Sequence, residues 1–278
     1  MLNIGCHLSA SAGFLAMGRE ITELGGNTFA FFTRNPRGGK ARPVDEADIK
    51  AYTDFAQKHA FAKIVAHSPY TLNPCSPDKH TREFAHMVFE DDMKRMELIP
   101  GNYYNFHPGS HVGQGEEQGI SLICEMLNKY LNEAQTTTVL LETMSGKGSE
   151  IGSSFEQLRL IMDNTSFPDK LGICLDTCHV YDAGYDIVND LDGVLEQFDK
   201  IIGITNLKAL HVNDSKNPYQ SHKDRHEKIG KGFLGIKTFE NLINHPKLKN
   251  LPFILETPND LDGYAAEIAL LKRLYKET

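Results

Sequence analysis

The chain has 278 residues, 40% of them hydrophobic, with 29 Lys and Arg against 37 Asp and Glu for a formal net charge of −8. That length suits a single α/β domain over residues 1–278 with a sizeable core. No stretch approaches the roughly 18–20 apolar residues of a membrane span, the N-terminus MLNIGCHLSA lacks a basic signal region, and the five cysteines form no CxxC pair. Membrane insertion, secretion and a disulfide framework are therefore disfavoured, and the cytoplasm is the expected compartment.

In chain order, strand-like runs fall at 2–8, 28–33, 63–67, 102–107, 137–142, 171–176, 208–213 and 252–256. Helical patterns lie between and after them, near 12–24, 45–60, 79–98, 118–134, 153–164, 189–203, 235–244 and 260–275. Eight strands alternating with eight helices predict a (β/α)8 TIM barrel, with an open doubly wound sheet as the alternative. Strands rich in Val, Ile and Leu suit a parallel sheet covered on both faces.

Three connections are enlarged: 33–44, 68–78 and 213–234. Long connections in a compact domain are often functional. The first, TRNPRGGKARPV, has Arg34, Arg37, Lys40 and Arg42 and no acidic residue. The second, SPYTLNPCSPD, offers Tyr70 and Leu72. The third sets Asp224 and His226 among Lys216, Lys223, Arg225, Lys228 and Lys231.

Six strand-like runs end in a side chain that binds metals: KIVAH at His67, NYYNFH at His107, TVLLE at Glu142, GICLD at Asp176, KALH at His211 and FILE at Glu256. The steps between them are 40, 35, 34, 35 and 45 residues, close to one strand plus a crossover helix. An open sheet would spread these ends along a line, whereas a closed barrel gathers them around one centre at the C-terminal face, where barrel enzymes carry their sites. A lone His after an apolar run is usually an ordinary core or surface residue, but a buried carboxylate needs a counter-charge, and cationic side chains are scarce in these strands. Metal is the simplest partner.

His179 follows Asp176 by three residues, and Asp224-x-His226 is expected to place two ligands on one side of an extended segment. Nine ligands exceed what one four-coordinate zinc can use and fit two or three ions with shared carboxylates. His7 ends the first strand and faces the same end, in a supporting or substrate-contacting role. Cys174 and Cys178 flank Asp176 and are expected to be small buried residues. His59, His80, His86 and His245 fall in helical or loop stretches, and His111 and His222 receive no role.

Several zinc ions suit phosphoester hydrolysis, because they make hydroxide available near neutral pH and neutralise charge on the phosphate. Aldose isomerisation needs fewer metals, and usually a Lys or His to move protons. An acidic chain by itself is a poor partner for nucleic acid, but three divalent ions would cancel most of the net charge at one place.

At these residues the sequence resembles the endonuclease IV family of apurinic/apyrimidinic (AP) endonucleases, over essentially the whole chain. The resemblance rests on FTRNPR (32–37), HSPY (67–70), NFHPG (105–109), LLETMSGKG (140–148), ICLDTCHVYDAGYD (173–186), LHVNDSK (210–216), DRHEKIGKG (224–232) and ILETP (254–258). It implies a TIM barrel with three Zn2+ per chain, Mn2+ being an alternative in part of the site. By that pattern His67, His107 and Glu142 hold one ion, Glu142 bridges to a second held by Asp176, His211 and Glu256, and His179, Asp224 and His226 hold the third. Glu142, Asp176 and Glu256 are the implied catalytic carboxylates, arranged about a hydroxide between the ions.

The implied reaction is hydrolysis of the phosphodiester 5′ to an abasic site, leaving a 3′-hydroxyl and a 5′-deoxyribose phosphate, with removal of blocked 3′ ends. The partner is double-stranded DNA, met by a monomer in base excision repair. Arg37 and Tyr70, with Thr71 and Leu72, are the implied DNA-contacting residues, since an abasic site is read by filling its gap and kinking the duplex. Two places depart from the family pattern: Gly38 and Gly39 stand where some members have an aromatic residue, and Thr71 where some carry a larger apolar wedge. The rival readings are a sugar isomerase or epimerase on a xylose-isomerase-like barrel and a non-catalytic damage-binding protein.

Overall fold

The computed structural model describes residues 1–277. Eight parallel strands close into a barrel: β1 (Ile4–Leu8), β2 (Thr28–Phe32), β3 (Val65–His67), β4 (Tyr103–Phe106), β5 (Thr138–Glu142), β6 (Leu171–Asp176), β7 (Leu207–Val212) and, after two short strands, β10 (Phe253–Leu255). Each strand pairs with its sequence neighbours, and β10 closes the ring on β1 through Ile4–Phe253 and Cys6–Leu255. This is the expected TIM barrel. No described helix is long and apolar enough to cross a membrane.

Around the barrel run α1 (Phe14–Glu23), α2 (Glu46–Lys58), α3 (Lys79–Met96), α4 (Glu116–Tyr130), α5 (Phe155–Asp163), α6 (Thr177–Ala183), α7 (Leu191–Ile201), α8 (Gly235–Asn244) and α9 (Leu261–Leu274). Side-chain oxygens cap several of them at the start: Asp45 for α2, Asp78 for α3, Ser154 for α5 and Asp260 for α9. Their apolar faces cover the outside of the strands in one continuous core.

Two features depart from the expected elements. The short α6 lies where the sequence pattern predicts only a connection; its cap is Asp176, whose Oδ1 accepts from His179 N at 2.9 Å. The connection after β7 contains an antiparallel pair, β8 (Asp214–Ser215) and β9 (His226–Glu227).

The inside of the barrel is layered. Ala30, Val65, Tyr103, Leu140, Cys174, Ala209 and Ile254 form a separate buried apolar cluster. Because strand side chains alternate with period two, the residue two places on from each of these points inward one layer higher. From Val65, Leu140, Cys174, Ala209 and Ile254 that step reaches His67, Glu142, Asp176, His211 and Glu256. On β1 the inward position below His7 is Gly5, where a Cβ would stand 1.7 Å from Thr28 O, so no larger residue fits.

Candidate metal centre

Glu142 lies at the middle of the polar layer and is fully buried. Its Oε2 is 3.2 Å from His67 Nε2 and 3.2 Å from His107 Nε2; its Oε1 is 3.1 Å from His211 Nδ1 and 3.4 Å from His179 Nδ1. Glu256 Oε2 is 3.3 Å from the same His211 nitrogen. On the far side, Asp224 Oδ1 is 3.1 Å from His179 Nε2 and 3.4 Å from His226 Nε2, and Asp176 Oδ2 is 3.8 Å from His226 Nε2. All nine residues singled out in the sequence therefore meet in one place. Glu142, His67, Asp176, His179 and His211 are almost wholly enclosed, while His107, Asp224, His226 and Glu256 form the side that opens to solvent.

The imidazoles are oriented from behind. His67 Nδ1 donates to Ser68 O at 2.7 Å, His179 Nδ1 to Thr143 O at 2.8 Å and His226 Nδ1 to Glu256 O at 3.2 Å. A proton fixed on Nδ1 leaves Nε2 as a lone pair facing the carboxylates, which is how metal-ligating histidines are commonly held. His179 Nε2 and His226 Nε2 are buried and lack a hydrogen-bond partner despite the short distances to Asp224. Imidazole nitrogens oriented from behind and converging on carboxylates fit divalent cations.

The ligand atoms fall into overlapping groups lying within 4.8 Å of one another: His67, His107 and Glu142; Glu142, Asp176, His211 and Glu256; and Asp176, His179 and His226, with His67 also grouped with His211 and Glu256. The first two coincide with the sets the family pattern implies. In the third, Asp176 stands with His179 and His226, and Asp224 approaches both histidines from the rim. Cys174 and Cys178 are fully buried, as expected, and the Cys178 sulfur also lies within 4.8 Å of ligand atoms of Asp224 and His226.

The electrostatics agree with this geometry. Burial by itself raises the Glu142 carboxyl, but His211 and His107 hold it well below the usual carboxylate range. Burial likewise raises Glu256, and His211 and His7 carry it down. His211 and His179 feel burial that favours the neutral ring, yet the first is lifted well above ordinary imidazole by Cys174, Glu256 and Glu142, and the second by Asp176, Asp224 and Glu142. A field that draws protons onto buried imidazoles also attracts divalent cations.

Three supporting residues emerge that the sequence reading lacked or left open. Asn105 Nδ2 donates to Glu142 Oε2 at 2.5 Å. Asn213 Nδ2 donates to Asp176 Oδ2 at 2.7 Å, while its Oδ1 accepts from Glu256 N at 3.0 Å. His7 Nδ1 lies 3.1 Å from Glu256 Oε1. The two asparagines stand two residues from His107 and His211, so strand alternation was the available signal.

The rim requires corrections. Tyr70 is 62% exposed, with its ring 5.0 Å from Phe32 and 6.0 Å from His107, and Thr71 is exposed beside it. Leu72 is only 3% exposed and belongs to the core, which removes it from any surface that could meet DNA. Arg37 is exposed, but Arg34 of the same basic loop is buried and paired with Asp91 and Asp92 of α3. Asp224 is not in extended backbone: its φ is +51°, and only His226 lies in a strand.

Residues 19–274 match a family model described as a xylose isomerase-like TIM barrel. A Clostridium beijerinckii protein named "Probable endonuclease 4" is 62% identical over 99% of this chain and 100% of its own length. An Alkaliphilus oremlandii protein of the same name is 59% identical over 100% and 99%. The chain belongs to the endonuclease IV family.

The crystal structure of endonuclease IV from Thermus thermophilus superposes with a TM-score of 0.87 at 28% identity, over 98% of both chains. D-psicose 3-epimerase from Clostridium cellulolyticum, at 12% identity and a TM-score of 0.68, shares the fold alone. In this chain the buried centre occupies the C-terminal end of the barrel, where TIM-barrel sites lie.

Proposed function

We propose that this protein is a zinc-dependent AP endonuclease, one domain throughout, that hydrolyses the phosphodiester 5′ to abasic sites in double-stranded DNA and also clears blocked 3′ ends. The reading places it in base excision repair, as a cytoplasmic monomer. One observation carries it: overlapping ligand groups, linked through Glu142 and Asp176, lie at the bottom of a rim that presents Arg37, Tyr70 and the exposed Lys216, Lys223, Arg225, Lys228 and Lys231. Sugar isomerisation has no use for so many ligands, nor for a basic rim around them.

His67, His107 and Glu142 would hold one ion, Asp176, His211 and Glu256 with Glu142 a second, and His179, Asp224 and His226 a third. Bound zinc would supply Lewis acidity, lowering the pKa of water and offsetting the charge of a phosphodiester. The protein's share is orientation. Asn105 and Asn213 steady Glu142 and Asp176, and His7 steadies Glu256. The basic rim draws in the DNA backbone that an acidic chain would otherwise repel. The exposed Tyr70 ring, beside Phe32 and His107 at the rim, is suited to stacking in a gap.

The test is a synthetic duplex with one tetrahydrofuran abasic analogue, given to zinc-loaded protein whose metal content has been measured. The expected result is incision on the 5′ side with about three zinc ions per chain, the number needed to satisfy nine ligands with shared carboxylates. No incision beside an active control would reject the proposal.

A further inference from the structure

The 213–234 connection contains an unusual run of backbone. Gln220, His222 and Asp224 have φ of +60°, +52° and +51°, three of the five non-glycine residues with positive φ among those described. Left-handed backbone is unfavourable for residues with a Cβ and persists only where the surroundings enforce it. Here the enforcement comes from α6. Gln220 N donates to Tyr181 O at 3.3 Å and His222 N to Asp182 O at 3.1 Å. Asp224 N donates to the Asp182 carboxylate, Oδ2, at 3.0 Å. The other Asp182 oxygen accepts from Ser215 Oγ at 2.9 Å.

Asp182 is fully buried, and no described Lys, Arg or His forms an ion pair with it. It belongs to none of the candidate ligand groups. A buried carboxylate without a cation is costly and is justified only by the donors it satisfies. One of those donors is the amide of Asp224, a rim ligand whose left-handed backbone accompanies its approach to His179 at 3.1 Å and His226 at 3.4 Å.

We propose that Asp182 is the positioning residue of the third divalent-ion site: by anchoring the Asp224 amide it holds Asp224 in its left-handed backbone and aims the Asp224 carboxylate between His179 and His226. This rests on the three-ion reading above. Asp182 touches neither ion nor DNA and acts only through Asp224. Without its acceptor, the Asp224 amide is unsatisfied and Asp224 relaxes toward ordinary backbone, so one ion of the three is weakened. Asparagine can do the same work, since its Oδ1 can accept from Asp224 N while its Nδ2 donates to the Ser215 hydroxyl.

The experiment compares full-length, zinc-loaded wild type, Asp182→Ala and Asp182→Asn, following release of zinc to a chromophoric chelator and counting bound ions by native mass spectrometry. In Asp182→Ala about one ion in three should leave at least roughly tenfold faster, the scale of effect expected when a ligand loses its supporting partner. The other two should leave at wild-type rates, and Asp182→Asn should behave as wild type. Wild-type release of all three ions from Asp182→Ala overturns the proposal. So does equal weakening of all three that asparagine fails to rescue, which marks a general structural role.

Should the alanine variant not fold, amide hydrogen exchange over 218–228 in zinc-loaded wild type decides. Protection of the Asp224 amide supports the anchor, and free exchange overturns it. Wild type holding fewer than three ions would sink the three-ion reading itself, before any variant is compared.

Discussion

At the N-terminal end of the barrel, several polar side chains are committed to tying the strand starts together. Asn27 Oδ1 accepts from Ile4 N at 3.0 Å and Asn102 Oδ1 from Ile64 N at 3.0 Å. Glu97 gathers the amides and hydroxyls of both Thr136 and Thr137 at 2.6 to 3.2 Å. At the C-terminal end, polar side chains face one another instead: carboxylates meet imidazole lone pairs, and His179 Nε2, His226 Nε2 and Asn105 Oδ1 are buried without a hydrogen-bond partner. Satisfied polar groups tie strands together and are quiet chemically. Groups held in place and unsatisfied are available for a ligand, and a scaffold can afford them only where the rest of the fold is secure.

The largest break in that contrast should come from its centre. Glu142→Ala is expected to reduce incision of an abasic duplex by more than about 10³-fold, on the order of 4 kcal/mol of transition-state stabilisation, with an unchanged circular dichroism spectrum. Incision at the wild-type rate would mean that the buried carboxylate is structural, as Glu97 is at the other end.

A smaller effect is expected on the rim. Arg37→Ala should raise KM for the abasic duplex by about tenfold, as one lost contact to the DNA backbone would, and leave zinc content and turnover at saturating DNA intact. Zinc lost from that variant would tie the loop to the metal centre and not to DNA.

The smallest effect belongs to the opposite end. Burial raises the Glu97 carboxyl, but the hydrogen bonds from Thr137 and Thr136 more than offset it and leave its pKa below the ordinary glutamate value. A depressed folded pKa means stabilisation that is full above the unfolded pKa and disappears as pH falls through the folded one. Glu97→Gln should therefore cost about 1 kcal/mol at pH 7, allowing for its partial exposure, with no change in incision. In urea titrations the two proteins should converge as the pH is lowered below the carboxylate range. A gap that persists in acid would show that charge on Glu97 is irrelevant to the N-terminal end.

Much of the fold was legible because its signals are local. Short apolar runs between helical periods place the eight barrel strands within a residue or two, and β6 over 171–176 without error. The ligands were legible because buried strands rarely end in His, Asp or Glu without a reason, and these six recur at the βα repeat. α6 escaped because its seven residues are too few for a helical period to show, and its cap, Asp176, is also a candidate ligand. Leu72 and Arg34 escaped for a different cause. Both sit in loops, where neither alternation nor helical period says which way a side chain points; Leu72 turns into the core and Arg34 to Asp92, 58 residues on.

The sequence by itself determined the βα repeat, the family and the nine residues that meet, since each depends on local pattern or on motifs in order. Only the tertiary structure decided what those residues do to one another. Closure of β10 on β1 brings Glu256 to His7 across 249 residues, and the buried carboxylate of Asp182 shapes Asp224 42 residues away. Such contacts leave no mark in a local window, because hydrogen bonding depends on distance in space and the chain supplies that distance only once the barrel has closed.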